Sequence, residues 1–210
     1  MITSKDWQRC KTQTFWKEKA ACSHVVQIYE NEETFLSLLE GFVTDGFTND
    51  ETVILIATEA HLSAMALRLQ TAGFNTKALE VQGKFMAFNA EEVLAKFMVN
   101  DWPDYSLFMQ TISSIFGQAR KNKQPVRAFG EMVAVLWEQG KTGSTIMLEQ
   151  LWNMFCEKEP FSLFCAYPKS AFPEGSDVSL QNICKHHSKV ISGTQPVASD
   201  LLYREVAQLN

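Results

Sequence analysis

The sequence lacks several features that would narrow its function at once. Its five cysteines are an odd number with no CxxC pair, so they predict reduced thiols and a cytoplasmic location rather than a disulfide framework. No apolar run approaches the ~20 residues that span a bilayer. Residues 1–19 mix charged and aromatic side chains and contain no apolar core of a signal peptide. We therefore expect no membrane partner.

A surplus of positive charge is also missing. The chain has 19 Lys and Arg against 24 Asp and Glu, a formal net charge of −5, and its basic residues are dispersed. Because binding to nucleic acid phosphates needs a clustered basic surface, we expect no direct contact with nucleic acid. Hydrophobic residues make up 46% of the 210 positions, which is enough for the core of one α/β domain.

A working phosphate-binding loop is absent as well. Gly140-Lys141-Thr142 resembles the end of a P-loop, but such a loop needs a glycine five positions before the Gly-Lys pair, where this chain has Val135. The residues between them are bulky and include a Trp and a Glu. This segment is predicted to be a polar turn between two helices. Since GxSxG, HExxH and paired-cysteine zinc motifs are also missing, we expect a non-enzymatic protein.

What the sequence does contain is an alternation of apolar strands and amphipathic helices. Five short β-rich runs are separated by segments with helical periodicity. This alternation predicts a three-layer α/β/α fold with a mainly parallel sheet covered on both faces. The predicted strands are Val25–Tyr29, Val53–Ala57, Phe85–Phe88, Pro125–Met132 and Phe161–Tyr167.

Composition divides the chain into three segments. They are a polar lead-in (1–23), the α/β domain (24–173) and a helical tail (174–210). The tail is predicted to hold one helix over Val178–Val190. The lead-in aromatics Trp7, Phe15 and Trp16 either pack onto the core or form an exposed contact surface for a partner.

Two long stretches and two shorter ones carry a resemblance to a known family. They are His24–Phe74 and Val126–Asn153, completed by Leu163–Pro168 and Ile183–Val190. Together they resemble the MEDS domain, a sensory module of methanogens, methylotrophs and other prokaryotes that occurs beside helix-turn-helix segments or histidine kinases. The resemblance implies a signal-input domain that binds a small molecule. It also implies a protein partner, such as a histidine kinase or transcription regulator, or action through a homodimer.

MEDS domains are in turn similar to KaiC-type ATPase cores of the RecA fold. The resemblance implies that scaffold, but the segment where glycines would cradle phosphate is Tyr29-Glu30-Asn31-Glu32-Glu33-Thr34. Its three carboxylates repel a triphosphate, so we expect a RecA-like or KaiC-like fold without a P-loop. A residual nucleotide-binding, nucleotide-hydrolysing or phosphotransfer enzyme stays open as an alternative, supported by Glu59 and Glu131.

Candidate binding residues follow from the rule that ligands bind at the carboxyl ends of parallel strands. Glu131 is either a ligand for a polar molecule or metal, or a structural residue that pairs with Arg127 or caps the next helix. Glu59 is either a ligand or the cap of a helix near His61. Glu149, beside apolar helix neighbours, needs a partner, and Arg127 is predicted. No cofactor is indicated. The predicted ligand-binding residues are His24, Tyr29, Glu30, Glu59, Arg127, Glu131 and Tyr167.

Two cysteine–histidine pairs allow a further hypothesis. Cys22 with His24, and Cys184 with His187, have spacings that permit chelation, and together they would complete a tetrahedral zinc site. That site requires the lead-in and the tail to meet. The alternatives are a packed, hydrogen-bonded His24 with a helix-borne Cys184 and His187, or a role in organic-ligand binding or redox chemistry.

Overall fold

The computed structural model describes residues 7–17, 23–172, 177–193 and 200–206. Within these residues, eight strands form one sheet and two short strands form a separate hairpin. The strands are β1 (Gln8–Lys11), β2 (His24–Tyr29), β3 (Thr52–Ala57), β4 (Phe85–Asn89), β5 (Met98–Val99), β6 (Trp102–Pro103), β7 (Val126–Gly130), β8 (Ser162–Pro168), β9 (Lys189–Gly193) and β10 (Asp200–Glu205).

The large sheet is parallel over most of its width. Its strand order is β1-β10-β9-β2-β8-β7-β3-β4, and every neighbouring pair from β9 to β4 is parallel. Within the described part of this sheet, only the pairs β1–β10 and β10–β9 are antiparallel. All six residues of β3 are buried, because helices cover both faces of the sheet. The predicted three-layer α/β/α fold is confirmed.

The helices divide between the two faces of the sheet. Residues of α1 to α3 are buried on one face, and residues of α5 to α9 are buried on the other. The described helices are α1 (Thr12–Lys17), α2 (Glu32–Thr48), α3 (Glu59–Thr71), α4 (Thr76–Val81), α5 (Ala90–Leu94), α6 (Tyr105–Ala119), α7 (Met132–Glu138), α8 (Thr142–Lys158) and α9 (Asp177–Lys185).

The predicted helix after Asn89 is shorter than expected. The Asn89 side chain accepts hydrogen bonds from the backbone nitrogens of Glu91 and Glu92, so the helix begins where its cap predicts. It ends at Leu94 instead of Val99. The chain then forms the β5–β6 hairpin, whose turn residues Asn100 and Asp101 have positive φ angles of 48° and 67°.

The carboxyl-terminal segment is only partly helical. The predicted helix over Val178–Val190 is present as α9 but ends at Lys185, and the following residues form β9. β9 pairs in parallel with β2, and β10 then pairs with β9. The expected helical tail therefore extends the central sheet, while the proposed division at residues 23 and 173 stays a prediction.

The lead-in aromatics pack into the molecule. Phe15 and Trp16 are buried, and the Trp16 ring lies 4.9 Å from the ring of Phe42 and 5.2 Å from that of Phe164. The idea that both form an exposed contact surface is wrong, since helix α1 covers the α2 face of the sheet. Trp7 is half-buried against the other face.

The segment that resembles a P-loop joins α7 to α8 as a turn. Gly140 adopts a φ of +74°, which favours glycine, and Lys141 pairs with Asp101 at 2.7 Å. The turn therefore connects two helices, whereas a P-loop connects a strand to a helix. None of the described helices is both long enough and apolar enough to cross a membrane.

Candidate functional site

The carboxyl ends of β7 and β3 are joined by Glu131. Its Oε2 accepts a hydrogen bond from the Thr58 backbone nitrogen at 2.7 Å, and its Oε1 lies 2.5 Å from Nδ1 of His61. His61 Nε2 also lies 3.6 Å from Glu32 Oε1. Burial lowers the pKa of His61, but the hydrogen bond and charge of Glu131 outweigh it and raise that pKa. Through these two contacts Glu131 holds the start of α3 in place. Its side chain neither forms an ion pair with Arg127 nor caps α7, the helix that follows it.

Three more predicted residues lie at the same edge of the sheet. The ring of Tyr29 stacks on Phe35 at 4.7 Å, and burial followed by the charge of Glu131 raises the pKa of its hydroxyl. Glu30 is exposed and pairs with Lys169. Glu59 is exposed as the first residue of α3. The strand-end rule therefore gives their place correctly, while their binding role stays a prediction.

A cavity of about 210 Å³ adjoins the carboxyl ends of β2 and β9. Its walls are mainly apolar, and Glu30, Lys169 and Arg204 add charged groups. The Arg204 guanidinium carbon lies 5.9 Å from the ring centroid of Trp7. This space is large enough for a small organic molecule. The apolar walls and the thiol that line it are Trp7, Ile28, Leu180, Val190, Ile191 and Cys184.

Arg127 lies at the opposite end of the sheet from this cavity. It is the second residue of β7, and its side chain is buried against α2. Nε donates to Glu51 at 2.6 Å, one terminal nitrogen donates to the Phe42 carbonyl at 2.6 Å, and the other donates to Asp45 at 2.9 Å. The predicted ion pair between Arg127 and Glu149 is therefore wrong, and so is the placement of Arg127 beside the strand-end residues.

Glu149 belongs to a different polar cluster, buried between the sheet and α8. Tyr167 donates a hydrogen bond to Glu149 Oε1, and Glu149 Oε2 lies 3.5 Å from His24 Nε2. His187 Nε2 lies 3.6 Å from Glu149 Oε1, and Cys165 Sγ lies 3.4 Å from His24 Nε2. His24 and Tyr167 were predicted for the strand-end site but lie here, because their side chains face α8 in the interior.

Burial dominates the electrostatics of this cluster. It raises the pKa of Glu149 to about 8 and lowers the pKa of His24 to about 4. It also lowers the pKa of His187 and raises the pKa of the Cys165 thiol. At neutral pH both imidazoles are therefore uncharged, so each ring keeps one nitrogen lone pair.

This cluster contains the two histidines of the predicted cysteine–histidine pairs but not Cys184. His24 and His187 do meet, with ring centroids 4.0 Å apart. Cys184 lies outside the group of four possible ligands. Burial raises the pKa of its thiol, and the charge and hydrogen bond of Arg204 partly oppose that rise. Cys22 lies outside the described residues. The residues that join the two histidines are Glu149 and Cys165.

Comparison with protein families decides the class of this chain. The family model described as MEDS, "MEthanogen/methylotroph, DcmR Sensory domain", matches residues 23–188. The chain belongs to the MEDS family. MEDS is a sensory domain of signal transduction proteins, and the matched residues run from the residue before β2 to the residue before β9.

A solved structure has a fold similar to this MEDS domain. The protein of Project ID PH0250 from Pyrococcus horikoshii OT3 aligns with a TM-score of 0.59 and 13% sequence identity. The alignment covers 89% of this chain and 89% of that chain, and at this identity it shows the fold alone. No curated protein matches the sequence. The further similarity to KaiC-type ATPase cores is not borne out by these comparisons.

The buried cluster of this MEDS domain was not found as a unit from the sequence, although two periodic signals point to it. Glu149 and Asn153 are four residues apart on α8, so they share one face of the helix. Cys165 and Tyr167 are two apart on β8, so they share one face of the sheet. The sequence does not show that these two faces oppose each other.

Proposed function

We propose that this MEDS domain is a non-enzymatic signal-input module that binds a small, mainly apolar organic molecule in the cavity at the ends of β2 and β9. The observation that carries the proposal is the composition of that cavity. Apolar side chains such as Ile28 and Leu180 line most of it, and a few charged groups can orient a ligand. Within the described residues, Nε of Arg204 is buried and has no hydrogen-bond partner, so it is available to donate to a ligand oxygen.

The position of the cavity suggests how occupancy reaches a partner. Trp7 directly precedes the edge strand β1, and Arg204 lies in β10, so the cavity adjoins β10 and the residue that leads into β1. A ligand that orders these groups shifts the population of edge conformations by its differential affinity for them. A histidine kinase, a transcription regulator or a second copy of the chain would sense this edge.

The strand-end residues argue against the alternative of a nucleotide-using enzyme. Asn31 caps α2 with its own side chain by accepting a hydrogen bond from the Thr34 backbone nitrogen. Three carboxylates flank this cap, Glu30, Glu32 and Glu33. A triphosphate placed there would meet negative charge and an occupied helix terminus.

A thermal-shift screen of small organic molecules tests the proposal with a cavity-filling variant. Leu180→Trp fills the space, and Leu107→Trp on the exposed face of α6 is the control. A molecule at ~100-fold excess over its Kd should raise the Tm of the wild-type protein and the control by about 5 to 10 °C. The same molecule should leave the Tm of Leu180→Trp unchanged.

Three results would contradict this proposal. Equal stabilisation of Leu180→Trp would place the ligand elsewhere. Failure of every compound in the screen would favour an inert interaction scaffold. Micromolar binding of Mg-ATP in calorimetry would favour the residual nucleotide enzyme instead.

A further inference from the structure

Four possible metal ligands lie close together in the buried cluster between the sheet and α8. His24, Glu149, Cys165 and His187 each offer one ligand atom, and these atoms all lie within 4.8 Å of one another. Each of these residues is at most 3% exposed. They come from β2, α8, β8 and the segment between α9 and β9, so the fold itself assembles the group.

Neighbouring groups fix which nitrogen of His24 faces the cluster. The Asn153 side-chain nitrogen donates to the His186 backbone carbonyl at 3.0 Å, so its amide oxygen points the other way. That oxygen lies 2.8 Å from Nδ1 of His24 and can only accept, so Nδ1 carries the proton. The lone pair of the neutral ring is therefore on Nε2, the atom that faces Glu149 and Cys165.

The same reasoning applies to His187. Its Nδ1 lies 2.8 Å from the Ile183 backbone carbonyl, which is an acceptor, so Nδ1 is the donor. Its Nε2 then holds the lone pair, and that buried atom has no hydrogen-bond partner among the described residues. Glu149 Oε2 is buried and unpartnered in the same way. Once Glu149 and Cys165 give up the protons that burial makes them keep, electron-pair donors converge where buried polar atoms normally have partners.

The spacing of these donors fits a tetrahedral ion. Bonds of zinc to nitrogen, oxygen and sulfur place neighbouring ligand atoms of a tetrahedral site about 3.3 to 3.6 Å apart. His24 Nε2 lies 3.4 Å from Cys165 Sγ and 3.5 Å from Glu149 Oε2. His187 Nε2 lies 3.6 Å from the other Glu149 oxygen. Two edges of the tetrahedron, which meet at His24 Nε2, are therefore near their required lengths before any ion binds, and His187 Nε2 lies close to the same carboxyl group.

We propose that His24, Glu149, Cys165 and His187 bind one divalent transition-metal ion of the zinc type. The imidazoles, thiolate and carboxylate match the ligand preferences of zinc, and the two anionic ligands balance its charge after their protons leave to solvent. Asn153 and the Ile183 carbonyl hold the opposite ring nitrogens, as supporting groups do in metal sites. Tyr167 holds the carboxylate. The ligand set differs from a pairing of Cys22 and Cys184 with the histidines.

The proposed site and the cavity at the strand ends share one segment of the chain. Cys184 lines the cavity at the strand ends, and the charge of Glu149 affects the pKa of its thiol, which burial raises. Cys184, which lines the cavity, is three residues before His187, which belongs to the cluster. The metal site is nevertheless independent of whether the cavity binds an organic molecule.

The test begins with the full chain, stripped by a chelator and reloaded with zinc or with cobalt(II). Elemental analysis after dialysis should find one zinc ion per chain. The cobalt form should show the visible bands of tetrahedral cobalt together with a near-ultraviolet charge-transfer band from a thiolate. The cavity ligand is absent from this experiment, so its outcome is separate from that of the proposed sensing function.

Variants assign the ligands. Cys165→Ser should abolish the charge-transfer band and weaken zinc binding at least ~100-fold, and Glu149→Gln and His187→Gln should weaken it similarly. Cys156→Ser and His186→Gln change a buried thiol and a neighbouring imidazole outside the group of four, so both should bind zinc like the wild-type protein. Circular dichroism of each stripped variant separates lost binding from lost folding.

Several results would overturn the site. They are no zinc retained by the wild-type chain, tetrahedral cobalt without a thiolate band, or a folded Cys165→Ser protein that binds zinc with unchanged affinity. If Cys165→Ser does not fold, the thiolate band of the Cys156→Ser protein decides, because its loss would place the metal at Cys156.

Discussion

Two buried polar clusters lie on opposite faces of the same sheet, and they differ in how their polar atoms are partnered. On the α2 face, all three guanidinium nitrogens of Arg127 donate hydrogen bonds, to Glu51, Asp45 and a backbone carbonyl. On the α8 face, Glu149 Oε2 and His187 Nε2 lie buried without hydrogen-bond partners in the part of the chain that the structure describes. A buried ion whose partners are complete holds a fold together, whereas converging lone pairs without partners mark a place for a ligand.

The largest expected effect comes from removing the Arg127 guanidinium from the cluster on the α2 face. Arg127→Met keeps much of the side-chain volume but leaves Asp45 and Glu51 without their buried cation. The free energy of unfolding should fall by about 3 to 5 kcal/mol. Urea denaturation measures it, and Arg68→Met, which removes a more exposed partner of Glu33 and Glu40, is the control with an expected loss of at most about 1 kcal/mol.

The second prediction concerns the close approach of α2 to the same arginine. A Cβ atom at Gly46 would lie 2.7 Å from a Val53 methyl group and 2.8 Å from Cδ of Arg127. Gly46→Ala should therefore destabilise the protein by about 1 to 3 kcal/mol. Gly117→Ala in α6 meets no atom within 4 Å and should be neutral or stabilising. Equal Tm values for the two variants would show that α2 can shift.

The third prediction concerns Asn153, which positions His24 in the cluster on the α8 face. Asn153→Leu removes the acceptor that fixes the proton on Nδ1 of His24. Zinc affinity should fall about 10- to 100-fold, although the four ligands remain. A competition titration with a zinc-binding dye measures this change, with Gln150→Leu on the exposed side of α8 as the control. Unchanged affinity in a folded Asn153→Leu protein would show that the hydrogen bond does not position His24.

The smallest effect is expected at the His61–Glu131 pair at the carboxyl end of the sheet. Because the pairing raises the pKa of His61, its stabilisation is fully present below the ordinary value of 6.5. It is lost as pH rises through the raised folded pKa. The stability difference between the wild-type protein and Glu131→Gln should therefore shrink by at most about 1 kcal/mol between about pH 6 and about pH 9.

Thermal denaturation at these two pH values measures the change. The hydrogen bond from Thr58 to Glu131 does not titrate with His61, so a constant part of the difference remains. A difference that grows with pH would show that the pair does not hold a proton on His61.

The sequence predicts the centre of this fold better than its edge. β3 was expected over Val53–Ala57 and covers Thr52–Ala57, because a continuous apolar run is typical of a strand buried on both faces. β1 has the sequence Gln-Arg-Cys-Lys and is mostly exposed, so its strand conformation depends on pairing with β10. No local pattern marks such a strand.

The candidate residues show the same limit. The rule for parallel strands places Tyr29, Glu30 and Glu131 at the carboxyl edge, where they lie. It does not cover Arg127, which stands near the amino end of β7. His24 and Glu149 are distant in sequence, and only the packing of α8 on the sheet brings them together.

The strand order also has a consequence for how the molecule is made on the ribosome. β2 is synthesised long before the strands on either side of it, β8 and β9. Until then both hydrogen-bonding edges of β2 are exposed, and nascent chains with unpaired strand edges aggregate readily. His187 is the last member of its cluster to emerge, so the four side chains can meet only after the whole segment from His24 to His187 has been synthesised.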